Sequence, residues 1–335
     1  MKNLLYLLAA VLFAPLVLTS CESEDAIPAE GIVIQFDNET PNRILPVSDS
    51  EAYVSKLYTT TISVIDTKKD VFKSTITIGS ETKAMALDGT TAYVITDSTG
   101  YTEINTLTKA VIKKVTVGDF PASIVVDKAH NQIILMSQGS YYRKTVGKIH
   151  FINITTDLVT DSLAMDSTDY AATLIDAVSK GFLLFGDRVA VLNYASKSIS
   201  NANFIVQRFS GGYYDIETNE IILGTATNYQ SDDTVKVYDA TSASLKHSYV
   251  GGVAAIHFAK YKDGTDRKLF VLNEGRFNGN NASLSSWDYS NNEFKNDLAP
   301  DLGDVGNDIA VMNGKLYLVL NGSRKIVVLD PTELK

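Results

Sequence analysis

The sequence predicts an all-β protein, a seven-bladed β-propeller built from four-stranded blades. Two observations lead to this prediction: a short phrase recurs seven times, and no stretch of useful length carries an apolar stripe at helical spacing. The phrase is an alternating apolar strand that ends in Asp or Asn and continues into a turn rich in Thr, Ser and Lys. Its copies are residues 63–66, 102–105, 150–153, 190–193, 236–239, 285–288 and 327–330.

The spacing of the phrase matches the length of a propeller blade. The final Asp or Asn residues follow one another at intervals of 39, 48, 40, 46, 49 and 42 residues, and a four-stranded blade takes roughly 40–50 residues. Asp and Asn suit the end of this strand because their side chains can hydrogen-bond the backbone two residues further on and close a tight turn. Seven phrases therefore predict seven blades.

A second strand precedes each phrase. These runs are rich in β-branched and aromatic residues and are bounded by Gly, Asn, Asp and Ser, which is typical of strands between turns. They are residues 52–54, 92–95, 132–135, 181–184, 220–223, 269–272 and 315–318.

The ends of the predicted propeller, residues 31–335, provide a test of ring closure. The last blade ends at Lys335 after only three strands, while residues 31–36 form an apolar strand with no blade of its own. We expect this strand to join the C-terminal blade as its outer strand and to latch the ring, which leaves no open blade edge. The alternative is that residues 31–36 are linker, although a linker gives no reason for an Ile-Val-Ile run.

The N-terminal residues have the pattern of an export signal. A basic Lys2 precedes an apolar run from Leu4 to Leu18, which is shorter than the roughly 20 residues of a membrane-spanning helix and is typical of a signal peptide, residues 1–20. The segment ending at Cys21 resembles the bacterial lipobox, which implies a lipidated Cys21 and a linker over residues 21–30. Membrane contact is then expected through the lipid anchor only.

Charge and cysteine content exclude some functions. The chain has 39 acidic and 30 basic residues, which argues against nucleic acid as a partner. Cys21 is the only cysteine, so no disulfide and no thiolate metal site is expected. No cofactor is predicted.

Two segments resemble the signature of YVTN-like propeller lipoproteins of Bacteroidetes surfaces. They are residues 272–285, which begin Leu-Asn-Glu-Gly-Arg-Phe, and residues 302–308, Leu-Gly-Asp-Val-Gly-Asn-Asp; residues 52–55 resemble the YVTN core itself. In these relatives the Asn-Glu-Gly blade comes near the N-terminus, whereas here it is the sixth, so the chain resembles a circularly permuted member.

The resemblance implies a function as well as a fold. The best-understood lipoproteins of this kind capture cobalamin and pass it to a TonB-dependent outer-membrane transporter. The expected partners are therefore a small ligand, corrinoid or carbohydrate, and such a transporter. The acidic residues 22–25 are similar to the stretch that directs these lipoproteins to the outer face of the outer membrane. An anchor that faces the periplasm is the alternative, since acidic residues are common in linkers.

The loops on one face of the ring supply the candidate ligand contacts. In a propeller, the loops between second and third strands and those between blades gather around the central channel, and aromatic rings with polar edges suit a sugar or a corrin. Several of these tyrosines have an alternative role in packing between blades. The candidates are Arg43, Tyr58, Tyr101, Tyr141, Tyr142, Arg143, Tyr170, Tyr213, Tyr229, Asn273, Glu274, Arg276, Phe277 and Asn307.

Two other functions stay open at this point. The four histidines, at positions 130, 150, 247 and 257, have no metal-ligand spacing and are expected to be structural or solvated, and no nucleophile motif is present. An enzyme of the lactonase or lyase kind would need a metal in the channel, for which the carboxylates of Asp97, Asp232, Asp233, Glu274 and Asp304 are candidate calcium ligands. The second alternative is a protein-interaction scaffold.

Overall fold

The computed structural model describes residues 31–96, 99–118, 120–138, 146–165 and 173–334. Its strands form seven antiparallel sheets of four strands each. The prediction of an all-β, seven-bladed propeller is therefore confirmed. A turn of 3₁₀ helix, Lys128–His130, joins two strands of the third blade.

The seven blades follow the order of the chain. Blade 1 contains β2 (Thr40–Ser48), β3 (Glu51–Leu57), β4 (Thr61–Asp66) and β5 (Val71–Thr77). Blade 2 contains β6 (Thr82–Asp88), β7 (Thr91–Thr96), β8 (Gly100–Asn105) and β9 (Val111–Thr116). Blade 3 contains β10 (Pro121–Asp127), β11 (Gln132–Ser137), β12 (Lys148–Asn153) and β13 (Val159–Ala164). Blade 4 contains β14 (Thr173–Asp176), β15 (Lys180–Leu184), β16 (Val189–Asn193) and β17 (Ser198–Ile205).

The remaining blades complete the ring. Blade 5 contains β18 (Gly211–Asp215), β19 (Glu220–Gly224), β20 (Thr234–Asp239) and β21 (Leu245–Val250). Blade 6 contains β22 (Ala255–Asp263), β23 (Asp266–Asn273), β24 (Ala282–Asp288) and β25 (Glu293–Gly303). Blade 7 contains β26 (Gly306–Met312), β27 (Lys315–Leu320), β28 (Lys325–Leu329) and the N-terminal β1 (Ile32–Gln35).

Strand β1 latches the ring, as predicted. It pairs antiparallel with β28, with Ile32 opposite Val328 and Gln35 opposite Lys325. Ile34 is 4% exposed and packs in an apolar cluster with Val54 of blade 1. The outer strand of blade 7 thus comes from the opposite end of the chain, which joins the two termini of the described region through backbone hydrogen bonds.

The apolar core lies between the blades. In the described residues, seven buried clusters occur, and each one combines side chains from two neighbouring blades. The first strand of every blade contacts the first strands of its neighbours, so these seven inner strands surround the central channel. Burial at each junction therefore holds the ring together and fixes which strand ends meet at the channel.

The phrase found in the sequence forms the predicted turn at the end of each third strand. For example, Oδ1 of Asp66 accepts the backbone N–H of Lys68 at 3.0 Å, and Oδ1 of Asp239 accepts that of Thr241 at 3.0 Å. The backbone N–H groups of Ser242 and Thr241 lower the pKa of Asp239 to about 2. The equivalent bond at Asn193 comes from the residue three positions later, Ser196, at 2.8 Å.

The strand order gives the ring two distinct faces. The loop face carries the loops between second and third strands together with the connections between blades, and these two sets are hydrogen-bonded to each other. Examples are the bonds from Gly79 N–H to the Thr60 carbonyl at 3.1 Å and from Asn321 N–H to the Val305 carbonyl at 2.8 Å. The turn face carries the remaining turns.

The predictions for residues 1–30, namely the signal peptide, the lipidated Cys21 and the linker, lie outside the described residues. In the part of the chain that the structure describes, we find no helix with the length and hydrophobicity needed to cross a membrane.

Candidate functional site

The channel mouth on the loop face is formed where the inner strands begin. Several of these strands start with a shift in register, between Pro41 and Ile44 in β2, between Ala255 and His257 in β22, and between Gly306 and Asp308 in β26. A bulge of this kind changes the direction of the side chains around it. It brings polar residues of blades 6, 7 and 1 together at one end of the channel.

Arg43 and Asn307 connect blades 1 and 7 at this mouth. The Nη1 atom of Arg43 donates to the carbonyl oxygen of Asn307 at 3.0 Å, and Nδ2 of Asn307 donates to the carbonyl oxygen of Asn42 at 2.8 Å. Oδ2 of Asp308 accepts the backbone N–H of Ile44 at 2.9 Å. One hydrogen bond thus joins the guanidinium of blade 1 to blade 7, and two more join the residues around it across the same junction.

The charge of Arg43 acts on three titratable groups. Burial raises the pKa of Glu274 to about 7, and Arg43 opposes part of this effect. Burial also raises the pKa of Asp308, against the effect of Arg43 and of two backbone N–H donors. Burial, and then Arg43, lower the pKa of His257 to about 3, so its imidazole is neutral at physiological pH. We call Arg43, Glu274, Asp308, His257 and Asn307 the channel-mouth cluster.

Two members of the channel-mouth cluster have no partner. Among the described residues, neither the Glu274 carboxylate nor the His257 imidazole makes a hydrogen bond or an ion pair. Both residues are partly exposed. A polar group that is largely desolvated without a compensating hydrogen bond costs free energy, so these side chains are suited to bind a ligand that supplies the missing bonds.

Aromatic rings stand beside this cluster. Tyr229, in the loop between β19 and β20, is 42% exposed, and its hydroxyl is within the electrostatic influence of Glu274 and Arg208. Phe277 is 79% exposed in the loop that follows Glu274. Exposed rings next to hydrogen-bonding groups can hold a ring-shaped polar ligand by one of its apolar faces.

The Asn-Glu-Gly loop, residues 273–281, is held firmly by its neighbours. Asn273 is fully buried, and its Nδ2 donates to the hydroxyls of Ser283 and Ser285 at 2.9 and 2.8 Å. The carboxylate of Asp304 accepts the backbone N–H groups of Asn278 and Gly279 at 3.1 and 3.2 Å. Much of the motif that resembles the YVTN-like lipoproteins thus fixes the junction of blades 6 and 7.

The structure separates the predicted site residues into groups. It brings Arg43, Glu274, Asn307 and Tyr229 to the mouth, with Phe277 at its edge. Arg276 donates to the carbonyl oxygen of Gln230, which ties the Asn-Glu-Gly loop to blade 5. Tyr58 is 87% exposed in the blade 1 loop.

Three predicted residues have packing contacts instead. Tyr101 is 1% exposed and donates to Asp157 of the next blade at 3.3 Å. Tyr213 packs against the apolar cluster between blades 5 and 6, and burial, followed by Asp215, raises its pKa to about 12. Asn273 has no exposed surface. The predicted residues Tyr141, Tyr142, Arg143 and Tyr170 lie outside the described residues.

Two of the carboxylates considered for calcium, those of Asp233 and Asp304, have other partners. Oδ1 of Asp233 accepts the hydroxyls of Thr225 and Thr227 at 2.9 and 2.6 Å, and Oδ2 accepts the Ala254 N–H at 3.0 Å. Asp304 is engaged by the Asn-Glu-Gly loop, and Asp97 falls outside the described residues. Within the described ranges, no group of three or more His, Cys, Asp or Glu side chains has an arrangement that could hold a metal ion.

Sequence reasoning missed His257 and Asp308 as members of the mouth. A signal was present: Arg43, His257 and Asp308 each directly precede a large apolar residue, Ile44, Phe258 and Ile309, near the start of an inner strand. Because side chains alternate along a strand, the residue before the packed apolar one faces the other way. Aligning the inner strands by this pattern would have placed all three at equivalent positions near the start of a strand, without showing that they meet at one mouth.

Comparison with known proteins defines the class through its fold. No family model matches the chain, and no curated protein matches it. Among solved structures, a chain of Kuenenia stuttgartiensis hydrazine synthase superposes with a TM-score of 0.69 at 13% identity, covering 88% of this chain and 97% of that one. At this identity the likeness shows a shared propeller fold and nothing about activity.

Proposed function

We propose that the protein is a surface lipoprotein that captures a small ligand at the channel mouth and delivers it to a TonB-dependent outer-membrane transporter. The observation that carries the proposal is the pair of unpartnered side chains, Glu274 and His257, gathered around Arg43. Titratable side chains that have no protein partner and lie beside a guanidinium in a partly open mouth are suited to a site completed by a ligand.

The chemistry of the mouth favours a ligand with several hydroxyl or amide groups. Arg43 supplies N–H donors, Glu274 accepts when ionised and donates when protonated, and neutral His257 does both. Tyr229 and Phe277 add exposed rings. A carbohydrate or a corrinoid with amide side chains has both polar and apolar surface and fits this combination.

The position of β1 supports an outward-facing mouth. Ile32 pairs near the turn-face end of β28, whereas Gln35 pairs with Lys325 near the loop face. The chain therefore enters the ring from the turn face. The segment from Cys21 to Glu30 has ten residues and reaches at most about 35 Å. A lipid on Cys21 would keep the turn face toward the membrane and leave the mouth accessible on the opposite side.

Calorimetric titration of the detergent-purified protein tests the proposal. The ligands are cobalamin and a panel of oligosaccharides, and we expect one of them to bind with one-to-one stoichiometry. Arg43→Gln and Glu274→Gln should each weaken that ligand by about tenfold or more, the usual effect of losing a charged hydrogen-bond partner. Arg324→Gln is the matched control, because this exposed arginine lies on the loop face of blade 7, where its backbone carbonyl accepts the N–H of Phe36 beside the outer strand.

The result that contradicts ligand capture is a protein that shows neither heat nor thermal stabilisation with any of these ligands. For the delivery step, the transporter is expected to co-purify with the protein from native outer membranes. A preparation in which the ligand binds but no transporter is recovered would limit the proposal to capture.

The pKa of Glu274 also supports a second candidate function. A carboxyl group that titrates near neutral pH is suited to act as a general acid or base, and it lies beside a neutral histidine and an arginine. The discriminating measurement is to incubate the bound ligand with the protein and to follow the ligand by NMR. New products that form with the wild type and not with Glu274→Gln would favour catalysis over capture.

A further inference from the structure

A small pocket lies on the loop face between blades 4 and 5, apart from the channel mouth. Its volume is about 190 Å³, and its lining includes Phe185, Gly186, Arg208 and Phe209. Phe185 and Phe209 are each 3% exposed; Phe209 belongs to the apolar cluster between blades 4 and 5, and Phe185 belongs to the cluster between blades 3 and 4. A Cβ atom built on Gly186 would meet no atom within 4 Å. The pocket therefore combines apolar walls with an open side at Gly186.

Arg208 is the charged group of this pocket, and it is unpaired. The residue is exposed, and among the described residues its guanidinium makes no hydrogen bond, ion pair or ring contact. The nearby Arg188 is different: it pairs with Asp187 at 2.9 Å and lies 4.6 Å from the centre of the Phe185 ring. Of the described residues that line the pocket, Arg208 is the only one with a charged side chain. A free guanidinium offers a planar set of donors that fits a carboxylate or sulfate.

Tyr229 lies within electrostatic reach of both Arg208 in this pocket and Glu274 at the channel mouth. Burial raises the pKa of the Tyr229 hydroxyl; the charge of Glu274 raises it further, and the charge of Arg208 lowers it. Its ring is 42% exposed. A ligand bound between Glu274 and Arg208 would thus cross an exposed aromatic face, on which the apolar face of a sugar ring can stack.

The size of the pocket indicates what it holds. Sites for drug-sized ligands have volumes of roughly 300–1,000 Å³, so 190 Å³ suits one unit of a longer molecule. We propose that the pocket between blades 4 and 5 is a second subsite that binds the acidic unit of a saccharide, with its carboxylate on Arg208 and the next ring on Tyr229. This inference rests on the proposed function, because the remaining units occupy the channel mouth.

A saccharide fits both the channel mouth and the pocket between blades 4 and 5, because these two sites require different chemical groups in one ligand. The mouth offers hydrogen-bonding side chains suited to hydroxyl groups, the ring of Tyr229 suits stacking, and Arg208 requires an anion. A uronate-containing oligosaccharide carries hydroxyls, flat apolar ring faces and a carboxylate within a few ångströms of each other.

The test compares two trisaccharides that differ only at C6, which is a carboxylate in one and a neutral hydroxymethyl group in the other. The full chain in detergent is titrated with trigalacturonate and with the neutral galactose trimer of the same linkage. We expect trigalacturonate to bind about tenfold more tightly, the effect of one charge-assisted hydrogen bond, and this preference to shrink as salt is raised. Arg208→Gln should lower the affinity for trigalacturonate to about that for the neutral trimer, whereas Arg324→Gln should keep the preference.

Each other outcome has a definite meaning. If both trimers bind the wild type equally, or if Arg208→Gln retains the preference, the acidic subsite is wrong, while ligand capture at the mouth stands. If neither trimer binds, the saccharide subsite is likewise overturned, and the cobalamin titration then decides the proposed function separately.

Discussion

The two faces of the ring use their charged side chains differently. On the turn face, acidic groups are paired across blade boundaries: Asp70 of blade 1 meets Lys315 of blade 7, Asp157 of blade 3 meets Lys113 of blade 2, and Asp215 of blade 5 meets Lys260 of blade 6. On the loop face, Asp233 and Asp304 are also hydrogen-bonded, but Glu274, His257 and Arg208 have no partner among the described residues.

This difference separates stability from binding. A charge that is buried with its partner holds two blades in one relative position, and removing one partner leaves the other desolvated. A buried group without a partner contributes no such tie and lowers stability until a ligand satisfies it. The turn face should therefore respond to substitution in its unfolding, and the loop face in its binding and pH dependence.

The largest expected effect is on the turn face, at Asp215. Its carboxylate is buried and accepts from Lys260 Nζ at 2.7 and 2.8 Å, while Lys260 is only 12% exposed. Asp215→Ala should lower the free energy of unfolding by about 3 kcal/mol. The measurement is urea unfolding followed by circular dichroism.

The control for Asp215 uses the same lysine. Glu217 also pairs with Lys260, at 3.0 Å, but its side chain is 36% exposed. Because exposed pairs are screened by solvent, Glu217→Gln should cost much less. Equal losses in the two variants would show that burial does not decide the strength of these contacts.

A smaller effect, of opposite sign, is expected at Glu274 on the loop face. The pKa of this carboxyl is raised from 4.5 to about 7, chiefly by burial, so between these pH values the folded protein holds a proton that the unfolded chain has released. The contribution to stability is present at low pH and is lost as pH rises through this window.

Glu274→Gln should remove the loss of stability that the wild type shows as pH rises through this window. The variant and the wild type should unfold with similar free energies at a pH near 4.5, and above pH 7 the variant should be more stable by roughly 2 kcal/mol, once the shift is discounted for solvent at the mouth. Urea unfolding across this pH range checks the expectation. A difference that does not change with pH would mean that the Glu274 carboxyl titrates normally.

The smallest effect concerns two tyrosines at equivalent places in their blades. The hydroxyl of Tyr317 is buried, donates to the Thr67 carbonyl at 3.0 Å and contacts Asp70. Tyr317→Phe should cost about 1 kcal/mol, the usual value of one hydrogen bond. Tyr53 is as deeply buried, but its hydroxyl has no partner in the described structure, so Tyr53→Phe should be neutral or slightly stabilising.

Thermal unfolding by calorimetry distinguishes these two variants, since both remove a single oxygen from a buried ring. If Tyr53→Phe lost as much stability as Tyr317→Phe, the loss at Tyr317 would not be due to the hydrogen bonds that its hydroxyl makes between blades 7 and 1.

Much of the architecture follows from local patterns. The seven phrases predict the third strands because each Asp or Asn closes its own turn through bonds to the next two or three residues, as at Asp66 and Asp239. The latch also follows from the sequence, since an apolar strand at residues 31–36 has only the incomplete last blade to join. The signal peptide and the lipidation of Cys21 stay predictions.

The candidate site was predicted only in part. Arg43, Glu274, Asn307 and Tyr229 were correctly placed on the loop face, because loop position follows from strand order. Tyr101 and Asn273 also lie near loops, but their side chains turn into the blade and find partners there, Asp157 and two serines. Direction at a strand end depends on bulges and on neighbouring blades, which no single stretch of sequence specifies.

The sequence by itself determined the class of fold, the number of blades and the strand that closes the ring, because these depend on alternation, turn chemistry and spacing along one chain. Tertiary structure alone decided that Arg43, His257, Glu274 and Asp308 share one channel mouth and that Arg208 is left unpaired in a pocket. These residues come from blades distant in sequence, and their pKa values and partners exist only once the ring has closed and excluded water from the junctions.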